Sequence, residues 1–181
     1  MPKLETVFLD RDGTINVKAP EGAYIAHPQQ LVLLPGAAAA IRMLNDHGIL
    51  ALVVTNQRGV GRGLMSPMDL DRVHVRLRTL LAREQARVDG IYVCPHEKDV
   101  CACRKPRAGL IWQAIQETPG IRLASAAMVG DAASDVELGR RLGITTVQIS
   151  GCEAETRKTD HTSPDLLSAV RWLLAVQTVS S

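Results

Sequence analysis

Val7-Phe8-Leu9-Asp10-Arg11-Asp12-Gly13-Thr14-Ile15-Asn16 is the stretch around which the chain is organised. Its short apolar run predicts a buried strand. The run ends in two carboxylates two residues apart. In extended backbone, residues i and i+2 point the same way, so Asp10 and Asp12 are expected to share one small volume at the strand's exit. Gly13 lets the chain turn where a side chain would obstruct it. Two carboxylates this close repel each other and invite a cation. With Mg²⁺ between them, one can attack an electrophile while the other carries a proton. A surface turn or a strand-end cap uses similar residues, but a cap accounts for one carboxylate and not for two. A calcium loop would also begin this way, with Glu21 at its twelfth position. It requires Asp or Asn at position five and Gly at position six, where this chain has Thr14 and Ile15.

The 181 residues are 46% hydrophobic and 22% charged, the composition of a soluble globular protein with a core of its own. We expect one domain over residues 1–181. A net charge of +2 and five aromatic residues argue against a nucleic-acid footprint or a base-stacking platform. The longest apolar run, Ile49 to Val54, is too short to cross a bilayer. The N-terminus carries no signal-peptide pattern, which sets the expectation of a cytoplasmic protein with no membrane partner. Cys94, Cys101 and Cys103 cluster while Cys152 stands apart, and in that compartment clustering favours a metal over disulfides.

Strands and helices are expected to alternate along the chain. After the first strand, a loop from Val17 to Gln30 is long enough to cover a site. A helix over Gly36 to His47 precedes the apolar strand Ile49 to Val54, which ends in Thr55-Asn56-Gln57-Arg58 and a glycine-rich run to Gly63. Ser66-Pro67-Met68-Asp69 starts a helix whose apolar face is Leu70, Val73, Leu77, Leu80 and Leu81. Further strands are predicted over Asp89 to Val93, Ala126 to Val129 and Thr145 to Ile149, with helices over Gly109 to Gln116, up to Leu142, and from Ser163-Pro164 to Val176. Cys152 to Thr162 reads as a polar loop and 177–181 as a loose tail. The alternation means an α/β fold, a Rossmann-like parallel sheet with helices on both faces. Ligands in such sheets bind beyond the carboxyl ends of the strands. Asp10/Asp12, Thr55/Asn56, Cys94 to Lys105 and Asp131/Asp135 each follow a strand, so all converge on one rim.

The rim residues suit phosphate chemistry. Thr55 and Asn56 offer a hydroxyl and an amide to a phosphate oxygen, and the glycines after them offer backbone N–H groups. The glycine spacing is G-x-G-x-G rather than the dinucleotide pattern, and there is no P-loop. Lys105 can offset charge on a transferring phosphoryl group. Asp131 can complete a Mg²⁺ site with Asp10 and Asp12, and Asp135, one turn later, can fix Asp131 or Lys105. The expected reaction is attack by Asp10 on phosphorus to give an aspartyl phosphate. Asp12 serves as acid and then base, with Thr55 and Lys105 holding the phosphoryl oxygens.

Asp10-Arg11-Asp12-Gly13-Thr14, Thr55-Asn56, Lys105, and Gly130-Asp131 with Asp135 resemble the four motifs of the haloacid dehalogenase (HAD) superfamily, in order, over about residues 5 to 150. Phe8 to Asn16, Val54-Thr55-Asn56-Gln57 and Cys103-Arg104-Lys105-Pro106 resemble its heptose-bisphosphate phosphatases and, less closely, the histidinol-phosphate phosphatases. The resemblance implies Mg²⁺-dependent hydrolysis of a phosphorylated sugar, contact of Arg104 with substrate, and a monomer. Cys94-x-His96 and Cys101-x-Cys103, also part of that pattern, supply three thiolates and an imidazole, a closed tetrahedral set for structural Zn²⁺ in a loop over 94–105. The gaps between motifs leave no room for a large cap domain. Specificity then falls to small loops, which makes Lys18, Glu21, Asn56, Gln57, Arg58 and Arg104 the candidate substrate contacts. The insert between His96 and Cys101 is short, as in the histidinol-phosphate type, and Ala132 stands where Lys occurs in relatives. Histidinol phosphate or another small monoester is the alternative substrate, and a non-catalytic zinc-stabilised binding module is the reading from another class.

Overall fold

The computed structural model describes residues 3–150 and 159–178. Within them β1 (Thr6–Leu9), β2 (Leu50–Asn56), β3 (Gly90–Cys94), β4 (Ala126–Gly130), β5 (Thr145–Ile149) and β6 (His161–Ser163) form one sheet in the order β3-β2-β1-β4-β5-β6. Every neighbouring pair is parallel. The helices are α1 (Ala37–Asp46), α2 (Arg58–Gly61), α3 (Pro67–Arg83), α4 (Gly109–Glu117), α5 (Ala133–Leu142) and α6 (Leu166–Thr178). As its sequence predicts, α3 opens on a capping box between Ser66 and Asp69.

Side-chain alternation along the strands divides the core in two. Val7, Leu9, Ala51, Val53, Ala127 and Val129 pack with Ile41 and Leu44 of α1, Val73 and Leu77 of α3, and Val170 and Leu173 of α6. Phe8, Leu52, Val54 and Met128 pack with Leu110, Ile111 and Ala114 of α4 and Leu138 of α5. Burial of both faces explains why the strands read as continuous apolar runs rather than alternating ones. β1 lies between β2 and β4, where the strand order reverses, and that reversal places its carboxyl end at the crevice of the sheet. The connection from β1 to α1 contains one 3₁₀ turn, Pro28–Gln30, and that from β3 to α4 contains no helix or strand, so no cap domain is built there. No helix among the described residues is long and apolar enough to cross a membrane.

Three departures from the sequence expectation fall in the C-terminal part of the chain. His161–Ser163, expected to fall in and just past a polar loop, is the sheet's edge strand. Asp160 draws it in: its Oδ2 accepts hydrogen bonds from the Thr146 backbone N–H (2.7 Å) and hydroxyl (2.8 Å) on β5. Residues 151–158, including Cys152, lie outside the described residues. The last helix starts at Leu166 rather than at Ser163-Pro164, because Ser163 completes β6 and Asp165 Oδ1 accepts from the Ser168 N–H (2.7 Å). Gln177 and Thr178, expected in a loose tail, are helical. Gln177 Oε1 accepts from the Leu4 N–H (3.2 Å), which ties this end of α6 to the start of β1.

Candidate active site

Asp10 follows β1 directly, and its N–H continues the ladder to Val129 O (2.9 Å). The residue is 8% exposed. Oδ1 accepts from the Arg11 N–H at 2.7 Å and lies 2.8 Å from Lys105 Nζ, which is itself 2.7 Å from Asp135 Oδ1. Burial alone would drive the Lys105 ammonium toward neutrality, but the charges of Asp10 and Asp135 outweigh it and hold the group above its usual range. Asp135 Oδ2 accepts from the Ala132 N–H (3.0 Å), so both of its oxygens are engaged. Burial raises its carboxyl to about 7 against the pull of Lys105. Of the two roles expected for Asp135, the one found is anchoring Lys105. A Cβ on Gly130 would run into the Asp135 carboxyl carbon. Gly130→Ala is therefore expected to push Asp135 off Lys105 and to cost about 1–3 kcal/mol in urea unfolding, as overpacking does, with a parallel fall in kcat.

Asp131 approaches from β4. It forms an ion pair with Lys18, while its Oδ1 is buried without a hydrogen-bond partner. Burial raises its carboxyl, Lys18 opposes the shift, and the Asp10 charge adds to it. Gly13 (φ +83°) lets the chain pass this close, since a side chain there would strike Asp131 and Lys18. Ligand oxygens of Asp10, Asp131 and Asp135 lie within 4.8 Å of one another. With Asp135 committed to Lys105, Asp10 and the unpartnered oxygen of Asp131 are the side-chain donors that fit Mg²⁺, a hard cation that takes few carboxylates and fills its octahedron with water and phosphate.

The Asp12 side chain, expected as a third Mg²⁺ ligand, does not join that group. The i, i+2 rule fails because the chain stops being extended: the N–H groups of Thr14, Ile15 and Asn16 all turn back to Arg11 O. Asp12 instead accepts from Arg11 Nη2 (3.0 and 2.9 Å) and Nε (3.3 Å), from Asn16 Nδ2 (2.8 Å) and from Gln57 Nε2 (2.7 Å). Burial works upward on this carboxyl, but the Arg11 charge and the donors of Asn16 and Gln57 outweigh it and hold the group low. Arg11, given no role of its own in the sequence, is completely buried. Its Nη1 meets His74 Nε2 at 3.1 Å. His74 lies on the buried face of α3 with Leu70, Val73 and Leu77, a polar residue on an apolar stripe that was itself a signal.

Two expected substrate-side groups, Gln57 and the glycine amides, turn inward, and Asn56 ties down the Lys105 loop from the edge of a cavity. Gln57 is 2% exposed and bridges Asp12 to the Thr55 hydroxyl (3.0 Å). Asn56 pairs with the main chain of Lys105, accepting from its N–H (3.0 Å) and donating to its carbonyl (3.2 Å). The amides of Gly61 and Gly63 go to Pro95 O (2.9 Å) and Val60 O (3.0 Å) rather than forming an open anion cradle. Arg58 Nε donates to the Tyr24 hydroxyl (2.9 Å), which straps the 17–30 loop to α2. Glu21 is exposed in a turn. Arg104 donates to His96 O (3.3 Å) and, with Asn56, Lys105, Arg107, Ser134 and Arg141, lines a cavity of about 580 Å³.

Cys94, His96, Cys101 and Cys103 meet beside that cavity. The sulfur–sulfur distances are 3.5 Å (94–101) and 3.4 Å (101–103), and His96 Nδ1 lies 3.7 Å from Cys94 Sγ and 3.2 Å from Cys103 Sγ. These are far too long for disulfides and near the edges of a tetrahedron with ~2.3 Å metal–sulfur bonds. The donor set fits Zn²⁺.

The HAD-hydrolase-like family profile matches residues 102–169. A D-glycero-alpha-D-manno-heptose-1,7-bisphosphate 7-phosphatase of Mycobacterium bovis is 40% identical over 154 residues, covering 82% of this chain and 80% of its own. A D-glycero-beta-D-manno-heptose-1,7-bisphosphate 7-phosphatase of Rhodopseudomonas palustris is 35% identical over 158 residues, covering 83% and 86%. Among solved structures, the D,D-heptose 1,7-bisphosphate phosphatase of B. bronchiseptica, complexed with magnesium and phosphate, superposes with a TM-score of 0.85 at 28% identity, covering 96% of this chain and 99% of that one.

Proposed function

The chain belongs to the D-glycero-D-manno-heptose-1,7-bisphosphate 7-phosphatases among the HAD-like hydrolases, and from that premise we propose that it removes the 7-phosphate of a D-glycero-D-manno-heptose 1,7-bisphosphate through an aspartyl phosphate. The observation that carries the reading is Asp10, pinned by Lys105 and facing Asp131. An Asp10 oxygen forms a bond to phosphorus as the bond from phosphorus to the sugar oxygen breaks. In its protonated form Asp12 gives that oxygen a proton, and the carboxylate left behind takes one from the water that releases phosphate and restores Asp10. Lys105, whose charge is locked in place, offsets the negative charge that gathers on the phosphoryl oxygens. Thr55 lies near the end of β2, Arg104 lines the cavity, and in this reading Arg104, Lys18 and Arg58 contact the substrate. Asp10 and Asp131 would hold Mg²⁺, which supplies further charge neutralisation when bound. In the same reading the protein is a cytoplasmic monomer of one domain, acting on a small phosphorylated sugar without nucleic-acid or membrane partners.

The test is phosphate release with Mg²⁺ from both anomers of heptose 1,7-bisphosphate, from histidinol phosphate and from simple sugar monophosphates. A heptose preference of tenfold or more in kcat/KM, about 1.4 kcal/mol, supports the reading, and the faster anomer identifies the substrate. A histidinol-phosphate preference overturns it.

Cys94, His96, Cys101 and Cys103 would hold Zn²⁺ as a structural clamp with no open position for water. The clamp sits between main-chain contacts. The Gln57 N–H donates to Cys94 O (2.7 Å), and the Gly109 N–H donates to Ala102 O (3.1 Å). Chelation of the zinc is expected to raise hydrogen exchange across 94–105 while the sheet stays protected, and unchanged exchange there would refute the clamp.

A further inference from the structure

The Asp12 that must give and take a proton is, in this arrangement, gripped on both oxygens. Three of its hydrogen bonds come from one guanidinium. The direction in which Asp12 faces therefore depends on what holds Arg11. Arg11 is fully buried, with one edge of its fork on Asp12 and Nη1 pointing the opposite way, onto His74 Nε2 at 3.1 Å. A guanidinium has donors and no acceptor. Nε2 must then be the bare nitrogen of a neutral imidazole, with the ring proton on Nδ1. His74 is 8% exposed on α3. Burial, and after it the Arg11 charge, depress its imidazolium to about 4, in keeping with that tautomer.

We propose that His74 is a positioning residue for the acid–base step: its bare Nε2 holds the Arg11 guanidinium against the Asp12 carboxylate and so fixes where Asp12 delivers its proton. The proposal rests on the assignment of Asp12 as acid and base. Without an acceptor at 74, Nη1 is left buried and unpaired, a costly state that the guanidinium relieves by turning toward another acceptor. Asp12 is drawn with it. Asn16 and Gln57 alone do not reproduce the three-point grip of Arg11. A histidine that only satisfied a buried arginine would affect stability and would slow every substrate alike. A histidine that aims Asp12 matters in proportion to how much the leaving group needs a proton.

The experiment compares kcat/KM for a sugar phosphate, whose alkoxide must be protonated on departure, with that for p-nitrophenyl phosphate, whose phenolate leaves unaided. This ratio covers the steps through the first phosphorus–oxygen cleavage. Wild type, D12N, H74L, H74N and H74Q are measured with Mg²⁺, each with its thermal midpoint. H74L is expected to lose roughly 30-fold or more on the sugar phosphate and about threefold or less on the aryl ester. H74Q, whose amide oxygen reaches where Nε2 sits, is expected to recover the sugar-phosphate rate. H74N, too short to reach, follows H74L and carries the test should H74L fail to fold. Equal losses on the two esters, wild-type behaviour of H74N, or no recovery in H74Q overturns the proposal. D12N separates the two levels. Equal losses in D12N refute the Asp12 assignment itself, whereas a selective loss in D12N without one at position 74 refutes only the role of His74.

Discussion

Asp10→Asn is expected to lower kcat by about 10⁴-fold or more, the scale on which loss of a nucleophile is felt, while leaving a folded protein. The two halves of that expectation come from different contacts. Asn keeps an oxygen that can accept from the Arg11 N–H, as Asp10 Oδ1 does at 2.7 Å. Lys105 keeps Asp135 as counter-charge at 2.7 Å. One negative charge is also removed from a crowded group of carboxylates. The amide oxygen, however, is a poor nucleophile, and phosphate transfer to residue 10 stops. Acid-quenched turnover of radiolabelled substrate should leave covalent label on wild type and none on Asp10→Asn. A variant that still turns over within tenfold of wild type would remove Asp10 from the chemistry and favour a binding module.

Lys105→Met is expected to damage both stability and rate. The substituted side chain fills similar space, but Asp10 and Asp135 then face each other in a buried site with no cation between them. Stripping one partner from a buried ion pair costs about 3–5 kcal/mol, a large part of the ~5–15 kcal/mol that holds a domain folded. The rate should fall by about 10²–10³-fold as the charge opposite the phosphoryl group is lost. Urea unfolding and phosphate release measure the two effects separately. The stability gap to wild type should narrow as pH falls, because a protonated Asp135 needs no counter-charge. A stable variant with unimpaired turnover would contradict the arrangement described for Lys105.

What was legible in the sequence was what local pattern determines. The apolar runs, the Ser66-Pro67 start and the polar clusters after each strand place the sheet, α3 and the rim on which Asp10, Lys105, Asp131 and Asp135 meet. The Cys/His spacing also survives, because four ligands in so short a loop have few ways to be arranged. The Asp12 side chain was expected among the metal-facing carboxylates because the pattern assumes extended backbone one residue too far. The internal bonds of Asn56 and Gln57 escaped notice because their partners, Lys105 and Asp12, lie 49 and 45 residues away. Nothing local distinguishes an amide facing solvent from one that closes a distant loop. β6 escaped notice for a related reason: His-Thr-Ser has no strand pattern, and Asp160 recruits it through Thr146.

The pairing of Asn56 with Lys105 has a consequence for how such a protein can diverge. The Asn56 amide bonds to the N–H and carbonyl of residue 105, atoms that every amino acid except proline would supply there. Its hold on the loop is therefore indifferent to the neighbouring side chains. Arg104 and Arg107 can change from one lineage to the next, and the appetite of the cavity with them, while the reactive ammonium stays where the sheet has put it.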